Sequence, residues 1–215
     1  MPRDFLAILP ATLATLCPLA AHANLVANPG FETVALSGSP PVLLPTGWTV
    51  AGTGIASDLI FPNTGTHDVS FSALTTNANP GVLSQTIATI PGTTYVLAFA
   101  VLDEGDFSGD LFKIHFGGFT TTITGDTAGQ PGTLPSFYTA ESFSVPAADI
   151  TGASTQLSFE GLTDPSSGTE WNLDDVSVTA LASPIPEPWS LSLFAGAVAL
   201  FTPGMIATRR ARRGA

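Results

Sequence analysis

An antiparallel β-sandwich is the fold class the sequence predicts, and three observations predict it. Between residues 24 and 183 the apolar residues alternate with Thr, Ser and Gly instead of recurring every three to four positions. Turn formers are frequent, with 21 Gly and 18 Pro in 215 residues, and they cut the region into short runs. No window of about ten residues there carries the apolar period of a helix.

Taken in order, residues 24–33 give a short strand and then a turn at Asn28-Pro29-Gly30. Strands are expected at 47–50, 68–74 and 81–89. After Pro91-Gly92 the stretch 94–102 is the clearest, because Tyr95, Leu97, Phe99 and Val101 share one face. Residues 111–116 repeat the grammar, with Phe112, Ile114 and Phe116 opposite Lys113 and His115. Further strands are expected at 119–124, 137–145, 154–161 and 171–179. In the last, Trp171 and Leu173 share one phase and Val176 and Val178 the other, so the phase slips at Asp174-Asp175 and predicts a β-bulge there.

Charge excludes one class of partner. Of the 17 acids only Asp4 and Glu187 lie outside residues 24–183, and Lys113 is the single Lys or Arg inside them. Phosphate backbones are bound by Lys and Arg, so the domain is not expected to bind nucleic acid. Such a surface suits divalent cations or neutral, hydroxyl-rich ligands. Cys17 is the only cysteine, which removes thiol catalysis, cysteine-ligated zinc and disulfides from residues 24–181.

The two ends read as address segments. Residues 5–20 are apolar and precede Ala21-His22-Ala23, the pattern of a secretory signal peptide covering 1–23. Residues 182–188 form a linker ending in Pro186-Glu187-Pro188. The uncharged run 189–207 would span roughly 28 Å as a helix, about one hydrocarbon core. Arg209, Arg210, Arg212 and Arg213, in the terminal segment 208–215, would stay on the cytoplasmic side and leave the preceding domain (24–181) outside.

The Pro-Glu-Pro triplet, one apolar span and a terminal Arg cluster together resemble the PEP-CTERM sorting signal of Gram-negative bacteria. The resemblance implies export by the Sec route, anchorage in the inner membrane, processing near the motif by a membrane-embedded exosortase, and a final place at the cell surface or in exopolysaccharide and biofilm matrix. A tail that remains as a permanent anchor obeys the same insertion physics.

The domain itself resembles the galactose-binding-like jelly roll of many carbohydrate-binding modules. The matching blocks are Asn28-Pro29-Gly30-Phe31-Glu32, Gly47-Trp48, Gln85-Thr86-Ile87, Pro91 through Phe99, and Trp171-Asn172-Leu173-Asp174-Asp175-Val176-Ser177-Val178. The likeness implies a structural calcium ion held by Glu32 and Asp174 with backbone carbonyls, and Asp175 stands beside them at the bulge. It also implies polysaccharide binding.

For a sugar ring, which offers an apolar face edged by hydroxyls, the expected contacts are Trp48, Phe119, Phe137 and Tyr138. Phe137 and Tyr138 are expected at a loop mouth, whereas Trp48 and Trp171 are the sort of residue more often found in a core. The acidic run 103–110 reads as a solvated connecting loop. His67-Asp68 reads as a surface turn, with an acid/base pair as the other option. No nucleophile or zinc-protease motif occurs, so the domain is expected to be non-catalytic, with a small polysaccharide hydrolase or a ligand-free surface protein as alternatives.

Overall fold

The computed structural model describes residues 23–39, 41–72, 79–104, 109–125, 138–163 and 170–181. The linker, the apolar run, the sorting residues Pro186, Glu187, Pro188, Arg209, Arg210, Arg212 and Arg213, all but Ala23 of the signal segment, and Phe137 lie outside the described residues. Among the described residues no helix is long and apolar enough to cross a membrane.

Among the described residues, two five-stranded antiparallel sheets and a small hairpin make up the domain. In chain order the strands are β1 (Val34–Ser37), β2 (Val42–Pro45), β3 (Thr49–Ala51), β4 (Ile55–Asp58), β5 (Asp68–Ser72), β6 (Val82–Ala88), β7 (Tyr95–Asp103), β8 (Leu111–Phe116), β9 (Phe119–Thr124), β10 (Thr139–Val145), β11 (Ser154–Leu162) and β12 (Glu170–Ala180). The first sheet runs β10-β7-β12-β5-β4 and the second β3-β6-β11-β8-β9, while β1 pairs only with β2.

Alternation explains why these segments pair and how the sheets stack. Tyr95, Leu97, Phe99 and Val101 of β7, Val69 and Phe71 of β5, and Trp171 and Leu173 of β12 are buried together with Phe112, Ile114 and Phe116 of β8 and Leu157 and Phe159 of β11. The intervening residues therefore face away from the opposite sheet. The expected slip in β12 is present: its register against β7 shifts between Asp174 and Ser177, and Asp175 adopts φ 53°. The bulge lets Trp171, Leu173, Val176 and Val178 all reach the core.

The structure adds three strands the sequence pattern missed. Strands β1 and β2 pair with each other alone and expose Leu36 and Val42, so they show no core-facing alternation. Strand β4 is only four residues long. Conversely, the expected opening strand is a single edge contact: Leu25 N donates to Val178 O at 2.9 Å, and Asn24 brackets Val176 and Val178 through its side chain. The Gln85 amide ties down the next residues, accepting from Ala27 N and donating to the carbonyls of Ala27 and Gly47.

Candidate functional site

The Asn28–Glu32 turn docks against the bulge of β12. Asn28 holds it with φ 49°, a conformation Asn tolerates, while its amide reaches Thr33 and the Thr46 carbonyl. Val176 N then donates to Pro29 O at 2.9 Å, which seats the turn on the irregular part of the strand. Glu32, Asp174 and Asp175 are thereby brought to one loop, residues 63–67.

Those three acids grip the loop through its donors. Asp174 Oδ2 accepts from Asn63 N (2.9 Å) and Thr64 N (3.0 Å), and its Oδ1 accepts from Asp175 N (2.7 Å). Asp175 accepts from the Asn63 amide (2.8 Å) and the Thr64 hydroxyl (2.6 Å). Glu32 accepts from Thr66 N, the Thr66 hydroxyl and His67 N, at 2.9, 2.7 and 3.1 Å. Gly65 lies between these anchors with φ 66°, and any Cβ there would strike the Glu32 carboxylate.

A calcium ion would need oxygens turned toward one point. Here the oxygens of Glu32 and Asp174 face N–H and O–H groups, whose positive ends a cation would also meet. Among the described residues no three His, Cys, Asp or Glu side chains form a group able to hold a metal. The residues as folded do not fit the ion; they hold the loop directly.

A second feature lies beside this clamp, on the face of the first sheet turned away from the core. The register places Asp58 opposite Asp68, Ser70 opposite Asn172, and Ser72 opposite Glu170, with Asp174 next along β12 opposite Ala100. Glu104 follows β7 and takes a hydrogen bond from the Asn172 amide at 2.8 Å. Ser72 donates to Glu170 at 3.0 Å. From the start of β10, across β7 and β12, the Tyr138 hydroxyl donates to Asp68 Oδ2 at 2.8 Å.

An outward face of a sandwich is ordinarily solvated, yet Asp68, Asn172 and Asp174 are each 0% exposed. Two oxygens in this floor, Asp68 Oδ1 and Asn172 Oδ1, have no hydrogen-bond partner among the described residues. Leaving such atoms unmet costs on the order of 1–3 kcal/mol each, so both call for a donor.

Burial and crowding set the charges. Burial pushes Asp68 up to about 7, opposed by the Tyr138 hydroxyl and reinforced by Asp58 and Asp174. Glu104 also rises to about 7, mainly through burial, with Glu170 adding to it. Asp174 reaches about 7 by burial, although Thr64, Asp175 and Asn63 donate to it. Glu32 moves the other way, down to about 2, because Thr66 and His67 donate to it. Burial, then the charge of Asp68, pushes the Tyr138 phenol upward, so it stays a donor.

These shifts set the direction of pH dependence. The three raised acids bind protons more tightly folded than unfolded. Their contribution is whole below the unfolded carboxylate range and is lost as pH climbs to about 7. Glu32 contributes fully above its unfolded value of 4.5 and loses its effect as pH falls toward 2. Melting temperature is therefore expected to peak at about pH 3–4, because above the unfolded Asp value of 3.8 the three raised acids outweigh the single lowered one, and to fall on both sides. A scan that is flat between about pH 5 and 8 contradicts the raised acids.

The aromatic expectations divide. Tyr138 stands on the acidic face. Trp48 does not serve as a platform: it is nearly buried, packs on Phe31 and Phe159, and donates its ring N–H to Asn28 O. Phe119 belongs to the second sheet and packs on Phe143 against the core edge. Asp103 and Asp110, expected in a solvated loop, are fully buried, and Asp68 is the buried start of β5 instead of part of a surface turn. Asp58, Asp68, Glu104, Glu170 and Asn172 escaped the sequence reading as a group. Asp68, Glu170 and Asn172 had one signal, a polar residue at every second position of otherwise apolar β5 and β12, and Asp58 and Glu104 had none.

No protein-family model matches the chain, and no curated protein matches it. Among solved structures it is similar to a family 61 carbohydrate-binding module in complex with β-1,4-galactotriose, with TM-score 0.51 and 16% identity over 74% of this chain and 99% of that one. A family 16 carbohydrate-binding module follows at TM-score 0.49 and 16% identity, over 73% and 99% of the two chains. A Stig cyclase, Fisc from Fischerella sp. TAU, gives TM-score 0.49 and 15% identity, over 74% and 98%. At these identities the likeness is one of fold. The class so defined is an all-β sandwich of the kind found in carbohydrate-binding modules, with an acid-rich polar face on its first sheet.

Proposed function

We propose that the chain is an exported surface or matrix protein whose sandwich binds a polysaccharide without cleaving it, after an exosortase has sorted it through the Pro186-Glu187-Pro188 tail. One observation carries the binding part: the outward face of the first sheet holds two buried acceptors with no donor among the described residues, beside Tyr138 and a rim of partly exposed acids. Sugar hydroxyls supply such donors. A module of this fold solved with a galactan-type trisaccharide supports the reading.

The test is affinity electrophoresis of the full-length chain through gels cast with different polysaccharides. Retardation in at least one gel is expected, with Asn172→Ala weakening it by on the order of tenfold. Migration unchanged in every gel rejects binding and leaves a ligand-free surface protein. The sorting half is read by intact mass of the protein from its native host, where a chain beginning at Asn24 and lacking everything after the Pro-Glu-Pro region is expected.

A second reading, hydrolysis, draws on the carboxyls of Asp68, Glu104 and Asp174 lying near 7, the range of a general acid. Reducing-sugar release that disappears in Glu104→Gln would establish it.

A further inference from the structure

The acidic face has a charge problem that hydroxyl donors do not solve. Asp58, Asp68, Glu104, Glu170 and Asp174 surround it, and among the described residues the sole Lys or Arg is Lys113, on the other sheet, 3.8 Å from Glu160. His67 sits at the clamp, 3.7 Å from Glu32, and His115 pairs with Thr120 on the second sheet. Nothing described on the first sheet's outer face is cationic. Burial holds Asp68, Glu104 and Asp174 up to about 7, so from about neutral pH upward they are carboxylates without a counter-charge, a costly state that a cation relieves.

Once Asp68 is deprotonated, from about pH 7 upward, the two unmet atoms are both acceptors. Asp68 has given Oδ2 to Tyr138, and Asn172 has committed its NH2 to Glu104, which leaves Asp68 Oδ1 and Asn172 Oδ1. A neutral hydroxyl meets one acceptor and no charge. An ammonium group offers three donors and a positive charge together, and charge-assisted hydrogen bonds are roughly twice as strong as neutral ones. A uronate or sulfate would meet like charge on every side.

We infer that this face takes an amino sugar, a glycan whose free amines are protonated, with an ammonium group donating to Asp68 Oδ1 and Asn172 Oδ1. The inference rests on the glycan-binding reading and names the class of glycan. Ammonium groups also occur on lysine-rich peptides, and the probes separate the two sources.

Calorimetric titrations of the full-length chain in detergent, at about pH 7, below the α-amino range of about 7.7–8.0 and where a sugar amine is partly protonated, compare four probes. They are a glucosamine hexamer, its N-acetylated counterpart, a galacturonate hexamer and a lysine hexamer. The glucosamine hexamer is expected to bind about tenfold tighter than the acetylated one, with an advantage that shrinks as salt rises. The galacturonate and lysine probes are expected to bind weakly, the latter because it lacks the ring. Asp68→Asn keeps the shape and the Tyr138 contact but turns an acceptor into a donor, and should bring the two glucosamine probes within about threefold. Glu104→Gln, on the partly exposed rim, repeats the test where the buried variant fails to fold. Equal or better binding of the acetylated hexamer, a preference that survives both variants, or a lysine hexamer that binds as tightly overturns the inference and leaves glycan binding standing. Failure of every glycan to bind overturns both.

Discussion

Truncating Phe112 to alanine is expected to lower the unfolding free energy by about 3–5 kcal/mol, the range for a buried Phe whose site collapses poorly. Phe112 is fully buried on β8 and meets rings from both sheets. Its centroid lies 5.2 Å from Phe71 in an edge contact, 5.3 Å from Trp171, 5.8 Å from Phe159 in a stacked one, and 6.4 Å from Phe99. Three of those neighbours belong to the first sheet, so the cavity would open where the two layers hold each other. Phe71 has little freedom to fill it, because it already covers Gly161, where even a Cβ would come within 2.6 Å. Urea unfolding measures the loss through its midpoint. A cost below about 1.5 kcal/mol would mean that the aromatic cluster repacks freely, against the geometry described.

Replacing Asp174 with alanine is expected to cost about 3 kcal/mol or more. The carboxylate satisfies the N–H groups of Asn63, Thr64 and Asp175, and each one stranded costs about 1–3 kcal/mol, less whatever water recovers. Glu32→Gln should cost less, since Glu32 is largely exposed and its amide replacement keeps one acceptor. The same melts check how the loop is held. With a direct clamp, added calcium or chelator leaves the melting temperature unchanged, whereas a cation bound only by the folded state would raise it by mass action. A calcium-dependent rise abolished by Glu32→Gln would replace the clamp by a metal site.

Much of the sandwich was readable because strand pairing repeats every two residues. Tyr95 through Val101 and Phe112 through Phe116 announce their buried faces by alternation alone, and the slip at Asp174-Asp175 announces the bulge. That Glu32 and Asp174 lie near one another was implied by the jelly-roll resemblance, and both reach the loop 63–67. Their partners there were not implied. Nothing local in Asn63-Thr64-Gly65-Thr66-His67 says that its amides face carboxylates from positions more than thirty and more than a hundred residues away.

Composition and alternation thus determined by themselves an acidic, cysteine-free β region, its strong core strands and its bulge, because each depends on residues adjacent in the chain. Tertiary structure alone decided that Trp48 is core, that Asp68 and Asn172 are buried on an outward face, and that acids from β4, β5 and β12 share it with Glu104, just past β7. The physical reason is that alternation assigns a side chain to a face of its own strand, whereas burial and charge on that face depend on which strands become neighbours.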